Sequence, residues 1–192
     1  MKVNYPNPSI QQKPHHQART QSHGMVFEHV LNLSNEYYYN KNRAVIYKKP
    51  TPIQIVKVEY PSRNRAKIVE GYYQTPSTTD YNGIYKGHYI DYEAKETNNL
   101  SFSFKHIFDH QVNHLLRVHE HGGIAFLIIF FRKVQEVYIL DILAFRELQK
   151  LAQEGGKQSI SIEEFRKQGK QVALGYTPAM DYLAAVDDYY HI

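Results

Sequence analysis

Asp80 is followed thirteen positions later by Glu93-Ala94-Lys95, and these side chains could do one kind of chemistry together. Two carboxylates can hold Mg²⁺, a hard cation that takes oxygen ligands and keeps several waters. The cation lowers the pKa of a bound water and offsets charge building on a phosphate. A lysine beside it adds a fixed positive charge where the transition state needs one. An acid followed by Glu-x-Lys therefore fits metal-assisted phosphodiester hydrolysis. The pattern is short, however, and a solvated strand of alternating charge would carry the same letters.

For the acids to meet, the chain between them must fold back on itself. Asn82-Gly83 and Lys86-Gly87 are turn residues that can set the two halves side by side as adjacent strands. From Tyr89 to Lys95 side chains alternate across a strand. Tyr89, Asp91, Glu93 and Lys95 share one face, and Ile90, Tyr92 and Ala94 take the other, core-facing side.

The longer string is much more specific than the three residues. Pro76-Ser77-Thr78-Thr79-Asp80-Tyr81-Asn82-Gly83, then Tyr89-Ile90-Asp91-Tyr92-Glu93-Ala94-Lys95-Glu96-Thr97, closely resembles the RecU family of Holliday junction resolvases. So do Ala44 to Val56 upstream, and Asp109-His110-Gln111-Val112-Asn113-His114 and Asp181 to Asp187 downstream. The resemblance covers roughly residues 24 to 188. It implies a restriction endonuclease-like α/β core, a central mixed sheet flanked by helices, with a protruding hairpin stalk that enters the junction centre. It also implies a structure-specific endonuclease that resolves four-way DNA junctions by paired strand cuts in recombination and repair. The site expected from it has Asp80 and Glu93 on Mg²⁺ (Mn²⁺ substituting), Glu28 nearby, Lys95 beside the phosphate and Gln111 positioning water or phosphate.

A chain of 192 residues is one domain and long enough to bury a core. A net charge of +4 with pI near 9.0 permits an anionic partner without requiring one. The absence of cysteine excludes disulfides, Fe–S clusters, thiolate zinc sites and a thiol nucleophile. Most of the 17 tyrosines read as core and strand filling. Residues 1–24 contain no acid, three cations (Lys2, Lys13, Arg19) and much Gln, His, Pro and Asn, which predicts a disordered basic arm ahead of a nuclease domain over 25–192. No apolar run follows Met1, so a secretory signal is not expected.

Met25 to Tyr39 carries Phe27, Val30, Leu31, Ser34 and Tyr38 at helical spacing, with Glu28 away from the centre of that stripe. The family usually reads Gly-Arg-Gly-Met where this chain has Ser22-His23-Gly24-Met25, so whatever that arginine touches in the family has no counterpart here; an arginine common in the family is likewise Ala179. Ile53 to Tyr60 and Ala66 to Tyr73 predict the hairpin, the stalk spanning about 55–74, with a basic tip. Arg63, Arg65 and Lys67 suit phosphate contacts, and Lys48, Lys49 and Thr78 join them as expected DNA contacts. Ser101 to His119 reads as one helix placing His106, His110 and His114 on one face; a zinc site there lacks a further ligand set. Ile124 to Phe131 is too short to span a bilayer and predicts a buried central strand. Val137 to Leu140 reads as its hairpin partner, Ile142 to Gln153 as a helix ended by Gly155-Gly156, and Ser161-Ile162-Glu163-Glu164 as a helix start.

The reading is a cytoplasmic, Mg²⁺-dependent junction resolvase without a membrane segment. A two-fold symmetric junction cut on two strands suits a homodimer, with recombinase and branch-migration proteins as further partners. Two alternatives stay open: a different nuclease of the same fold, and a non-catalytic junction-binding or recombinase-regulating module.

Overall fold

The apolar run from Ile124 to Phe131 becomes the middle strand of the main sheet, and the other elements are arranged about it. The computed structural model describes residues 22–63, 65–74 and 79–192. In chain order the helices are α1 (Ser22–Asn40), α2 (Asp109–Glu120), α3 (Ile142–Gln153), α4 (Ile162–Gln168) and α5 (Tyr182–Tyr190). The strands are β1 (Ala44–Lys48), β2 (Ile53–Ser62), β3 (Arg65–Tyr73), β4 (Tyr81–Tyr85), β5 (His88–Thr97), β6 (Ser101–Ser103), β7 (Ile124–Phe131), β8 (Glu136–Asp141), β9 (Ser159–Ser161), β10 (Lys170–Leu174) and β11 (Met180–Asp181). The expected arm falls mainly on residues 1–21, which lie outside the described residues, and α1 already begins at Ser22.

The main sheet has seven strands in the order β1-β4-β5-β7-β8-β10-β11. Only the β5–β7 pair is parallel. A parallel pair needs a crossover, and α2 lies in the chain between the two strands, which sets it over the face of β5 that carries the charged side chains. Both faces of β7 are covered. Phe126 and Ile128 pack towards α1 and α5 with Leu31, Tyr92 and Val186. Ala125, Leu127 and Ile129 pack towards α2, α3 and α4 with Val112, Phe145 and Phe165. Each of the larger of these side chains contributes about 1.5–3 kcal/mol when fully buried, which is why this strand is apolar throughout rather than alternating.

The β4–β5 hairpin differs from expectation in one respect. Lys86 (φ 47°) and Gly87 (φ 81°) make a two-residue turn with both φ positive, as the strand twist favours. Asn82-Gly83 makes no turn and lies within β4, paired with both β1 and β5. Gly83 is required there by crowding: a Cβ would sit 2.1 Å from the Val45 carbonyl oxygen.

The single helix expected over Ser101 to His119 is broken up. Ser101–Ser103 forms β6, paired with β9, followed by a 3₁₀ turn over Phe104–His106, and the helix starts only at Asp109. Phe102 and Phe104 are drawn inward on a two-residue period, and that tertiary burial wins over the helical periodicity further on. The three histidines consequently do not share one helix face. His106 stands on the 3₁₀ turn, and His110 stacks on Phe108.

β2 and β3 form a separate two-stranded sheet, almost all of it exposed. This is the expected stalk. Register shifts between Ile55 and Lys57 and between Glu59 and Ser62 add local twist. Among the described residues no helix is long and apolar enough to cross a membrane.

Candidate active site

The site lies where β4 ends. Its first residue, Tyr81, pairs with Tyr92, so among the described residues β5 from Glu93 onward pairs with β7 alone and its other edge has no strand partner. Asp80 stands just before β4 and occupies that edge. Its Oδ2 accepts from the Ala94 N–H at 3.0 Å, taking the place of a ladder partner. Its own carbonyl accepts from the Lys49 N–H at 2.8 Å. The residue is thus held at both backbone and side chain, with its carboxylate beside Glu93.

Glu93 is fully buried. Its Oε1 accepts from the Lys95 ammonium, an ion pair along one face of the strand, and from Gln111 Nε2 at 2.6 Å. Gln111 is oriented from its other end, where Oε1 accepts from the Phe108 N–H at 3.0 Å and caps the first turn of α2. Glu93 Oε2 is buried without a hydrogen-bond partner among the described residues. Burial and the negative charge of Asp80 push the Glu93 carboxyl up to about 7, against the opposing pull of Lys95. A buried, unpaired carboxylate oxygen next to a second carboxylate is costly, and a cation between them removes that cost.

Asp91, on the same face of β5, is also fully buried, but both its oxygens are engaged. Its Oδ2 accepts from Lys49 Nζ at 2.7 Å and from the Tyr89 hydroxyl at 2.9 Å, and lies 3.0 Å from His114 Nε2. Its Oδ1 accepts from the Thr79 hydroxyl. Both Asp91 oxygens are thus engaged, three donors on Oδ2 and one on Oδ1, whereas Glu93 has one oxygen with no hydrogen-bond partner among the described residues.

An open cleft of about 550 Å³ runs along the free edge, lined by Phe27, Glu28, Asp80, Lys95, Lys105 and Phe108 among others. Glu28 borders it from α1 and is ion-paired with Lys48 at 2.7 Å. The structure therefore brings together Asp80, Glu93, Lys95 and Gln111, with Glu28 at the rim. Lys48 and Lys49 are engaged with acids flanking the site. Arg63, Arg65 and Lys67 are exposed at the outer part of the stalk, and Thr78 lies outside the described residues. Sequence reasoning placed Asp91 on the right face but gave it, Thr79 and His114 no part. The only signal was the two-residue spacing from Glu93.

The donor set tests what could bind. Among the described residues no three His, Cys, Asp or Glu side chains gather at one point, and the candidate carboxylate ligands here are Asp80 and Glu93. A hard divalent cation tolerates so short a set because it retains waters and takes substrate oxygen. The bare Glu93 Oε2 beside Asp80 fits such an ion.

Two carboxylates and a lysine on one strand edge of a mixed α/β sheet, with Asp80 and Lys95 lining the cleft and Glu93 buried behind them, are the groups that metal-assisted phosphodiester hydrolysis can use. The profile of the family described as Recombination protein U matches residues 22–188. The Holliday junction resolvase RecU of Staphylococcus carnosus is 52% identical over 165 residues, 85% of this chain and 79% of that protein. That of Oceanobacillus iheyensis is 46% identical over 195 residues, 98% of this chain and all of that protein. The chain belongs to the RecU family. The solved structure of Hjc, a Holliday junction resolvase from Archaeoglobus fulgidus, covers 63% of this chain and 78% of its own at 14% identity and a TM-score of 0.39, a likeness too slight to carry weight.

Proposed function

We propose that this protein is a Holliday junction resolvase, an endonuclease that cuts four-way DNA junctions with Mg²⁺ as its metal and Mn²⁺ as a substitute. The observation that carries the reading is a buried Glu93 Oε2 with no hydrogen-bond partner among the described residues, set beside Asp80. Family membership supplies the substrate.

Asp80 and Glu93 would hold the ion, whose chemistry is to lower the pKa of a bound water and to neutralise charge on the phosphate. The remaining roles belong to the chain's own groups. Gln111 fixes one oxygen of Glu93 and leaves the other for the ion. Lys95 projects from the cleft wall, where its ammonium faces a phosphate lying along the free edge and stabilises the charge that grows as the phosphodiester breaks. The Asp80 carboxylate is aimed by the Ala94 N–H and needs no rearrangement to act, which is the preorganisation such sites depend on. Glu28 lines the cleft from α1 and would add a further carboxylate near the ion, its charge shared with Lys48. Arg63, Arg65 and Lys67 on the stalk contact phosphates at the junction centre. Two copies of the chain, each with one site, cut the two strands of like polarity. The enzyme works in the cytoplasm with the recombination machinery, including recombinase and branch-migration proteins.

The test is cleavage of a four-way junction with and without Mg²⁺, comparing the wild type with Asp80→Asn. Cleavage should require the metal and vanish in the variant, while junction affinity in EDTA stays at the wild-type value. Cleavage by Asp80→Asn at the wild-type rate refutes the assignment, and equally strong cutting of plain duplex replaces it with a different nuclease of this fold.

A further inference from the structure

The four donors around Asp91 do more than neutralise a buried charge, because three of them come from segments that carry the nuclease site. Lys49 supplies its ammonium to Asp91 and its backbone N–H to the Asp80 carbonyl. Thr79, itself buried, is the residue immediately before Asp80; its hydroxyl donates to Asp91 and accepts from Lys49 Nζ. His114 stands three positions after Gln111 on α2, one turn along the same helix face. Gln111 reaches Glu93 while His114 reaches Asp91. Helix α2 is therefore pinned to β5 at two points two residues apart on the strand.

We propose that Asp91 is a positioning residue for the nuclease reaction, the hub that fixes Asp80 and Gln111 against Glu93. The claim rests on the nuclease reading of the site given above. Simple filling of this space would not need such a hub. A buried ionic group can commonly be replaced by apolar residues of similar volume without loss of stability, whereas hydrogen bonds to one carboxylate constrain direction as well as distance. Here the constraint passes to Asp80 from both sides, through its neighbour Thr79 and through the backbone of Lys49. It passes to Glu93 through the helix that carries Gln111. Tyr89, steadied by Asn82 Nδ2 at 3.1 Å, closes the set from within the hairpin. A shift of Asp80 relative to Glu93 would spoil the cation site first and substrate binding hardly at all, since neither Asp91 nor Thr79 lines the cleft.

The test uses the full chain with Thr79→Val, Thr79→Ser and His114→Ala. Valine keeps the shape of Thr79 and removes the hydroxyl, serine keeps the hydroxyl, and His114 is partly exposed, so its truncation is mild. Mn²⁺ affinity would be measured without DNA, kcat at saturating junction, and junction affinity in EDTA. Thr79→Val should lose about 10–100-fold in Mn²⁺ affinity and in kcat, as removal of groups that orient metal ligands does, with junction affinity unchanged. Thr79→Ser should regain both, and His114→Ala should move both in the direction of Thr79→Val. Wild-type Mn²⁺ affinity and kcat in both Thr79→Val and His114→Ala, or no rescue by serine, overturn the proposal. Asp80→Asn run in parallel separates the two levels. If it abolishes Mn²⁺ binding and cleavage while Thr79→Val does nothing, the positioning role falls and the nuclease site stands. If Asp80→Asn also changes nothing, the site itself is misassigned.

Discussion

Replacing Glu93 by glutamine should make the metal-free protein more stable while removing its activity, and the gain should depend on pH in a defined way. Burial and Asp80 raise the Glu93 carboxyl from its ordinary 4.5 to about 7 in the folded chain. At about 1.4 kcal/mol per pH unit, that rise is worth about 3 kcal/mol. The figure is net, because the favourable effect of Lys95 is already included in the value of about 7. The sign follows from proton counting. Between 4.5 and about 7 the folded state binds more protons than the unfolded one, so the stability of the wild type falls as pH rises through this window. Below 4.5 the group costs nothing, and above about 7 the full cost is present. Glutamine mimics the protonated acid at every pH. In EDTA at about pH 8 the variant should therefore gain about 3 kcal/mol, or about 6–12 °C in Tm for a chain of this size, and near pH 4.5 it should gain almost nothing. Thermal or urea unfolding of both proteins at the two pH values reads this directly. Added Mg²⁺ should then stabilise the wild type by linkage and leave the variant unmoved. A gain that is the same at both pH values, or a variant less stable than wild type at about pH 8, would refute the claim that an unrelieved charge sits at this edge.

Two further perturbations probe the stalk and the sheet. Arg63→Ala with Arg65→Ala should weaken junction binding and reduce the slope of log affinity against log salt by about 0.9 for each phosphate the stalk no longer neutralises; an unchanged slope in a salt titration would show that the tip does not touch the backbone. Gly83→Ala should destabilise the protein by roughly 1–3 kcal/mol or more, as overpacking does, because the new methyl would meet the Val45 carbonyl at 2.1 Å. Loss of amide protection confined to β1 would confirm where the strain goes, and a wild-type unfolding midpoint would refute the account.

The fold was legible wherever one period dominated. The stripe of Phe27, Leu31 and Tyr38 gave α1 its length to within a few residues, and the unbroken apolar run of β7 could only be a strand covered on both faces. Legibility failed where two signals competed. Asn82-Gly83 has the chemistry of a hairpin turn, yet the turn fell at Lys86-Gly87, because Gly83 was needed for a different reason, the close approach of β1. The residues from Ser101 to Phe108 join a helical pattern on paper, but pairing of β6 with β9 and the inward pull of Phe102 and Phe104 end the helix before it starts. Pairing partners far apart in the chain leave no mark on local spacing.

The candidate site divides in the same manner. Alternation puts Tyr89, Asp91, Glu93 and Lys95 on one face and is right about all four, but it cannot rank the two acids. That ranking depends on donors arriving from elsewhere, Lys49 and Thr79 from the loops around β4 and His114 from α2, which engage both oxygens of Asp91, while Glu93 Oε2 has no hydrogen-bond partner among the described residues. It depends also on β4 stopping at Tyr81, which uncovers the edge of β5 at Glu93 and gives Asp80 the vacant ladder position at Ala94. Moving the end of β4 by two residues in either direction would pair the edge or set Asp80 against the wrong acid. The proposed chemistry is therefore written in three residue types, but the place proposed for it is set by where a neighbouring strand ends.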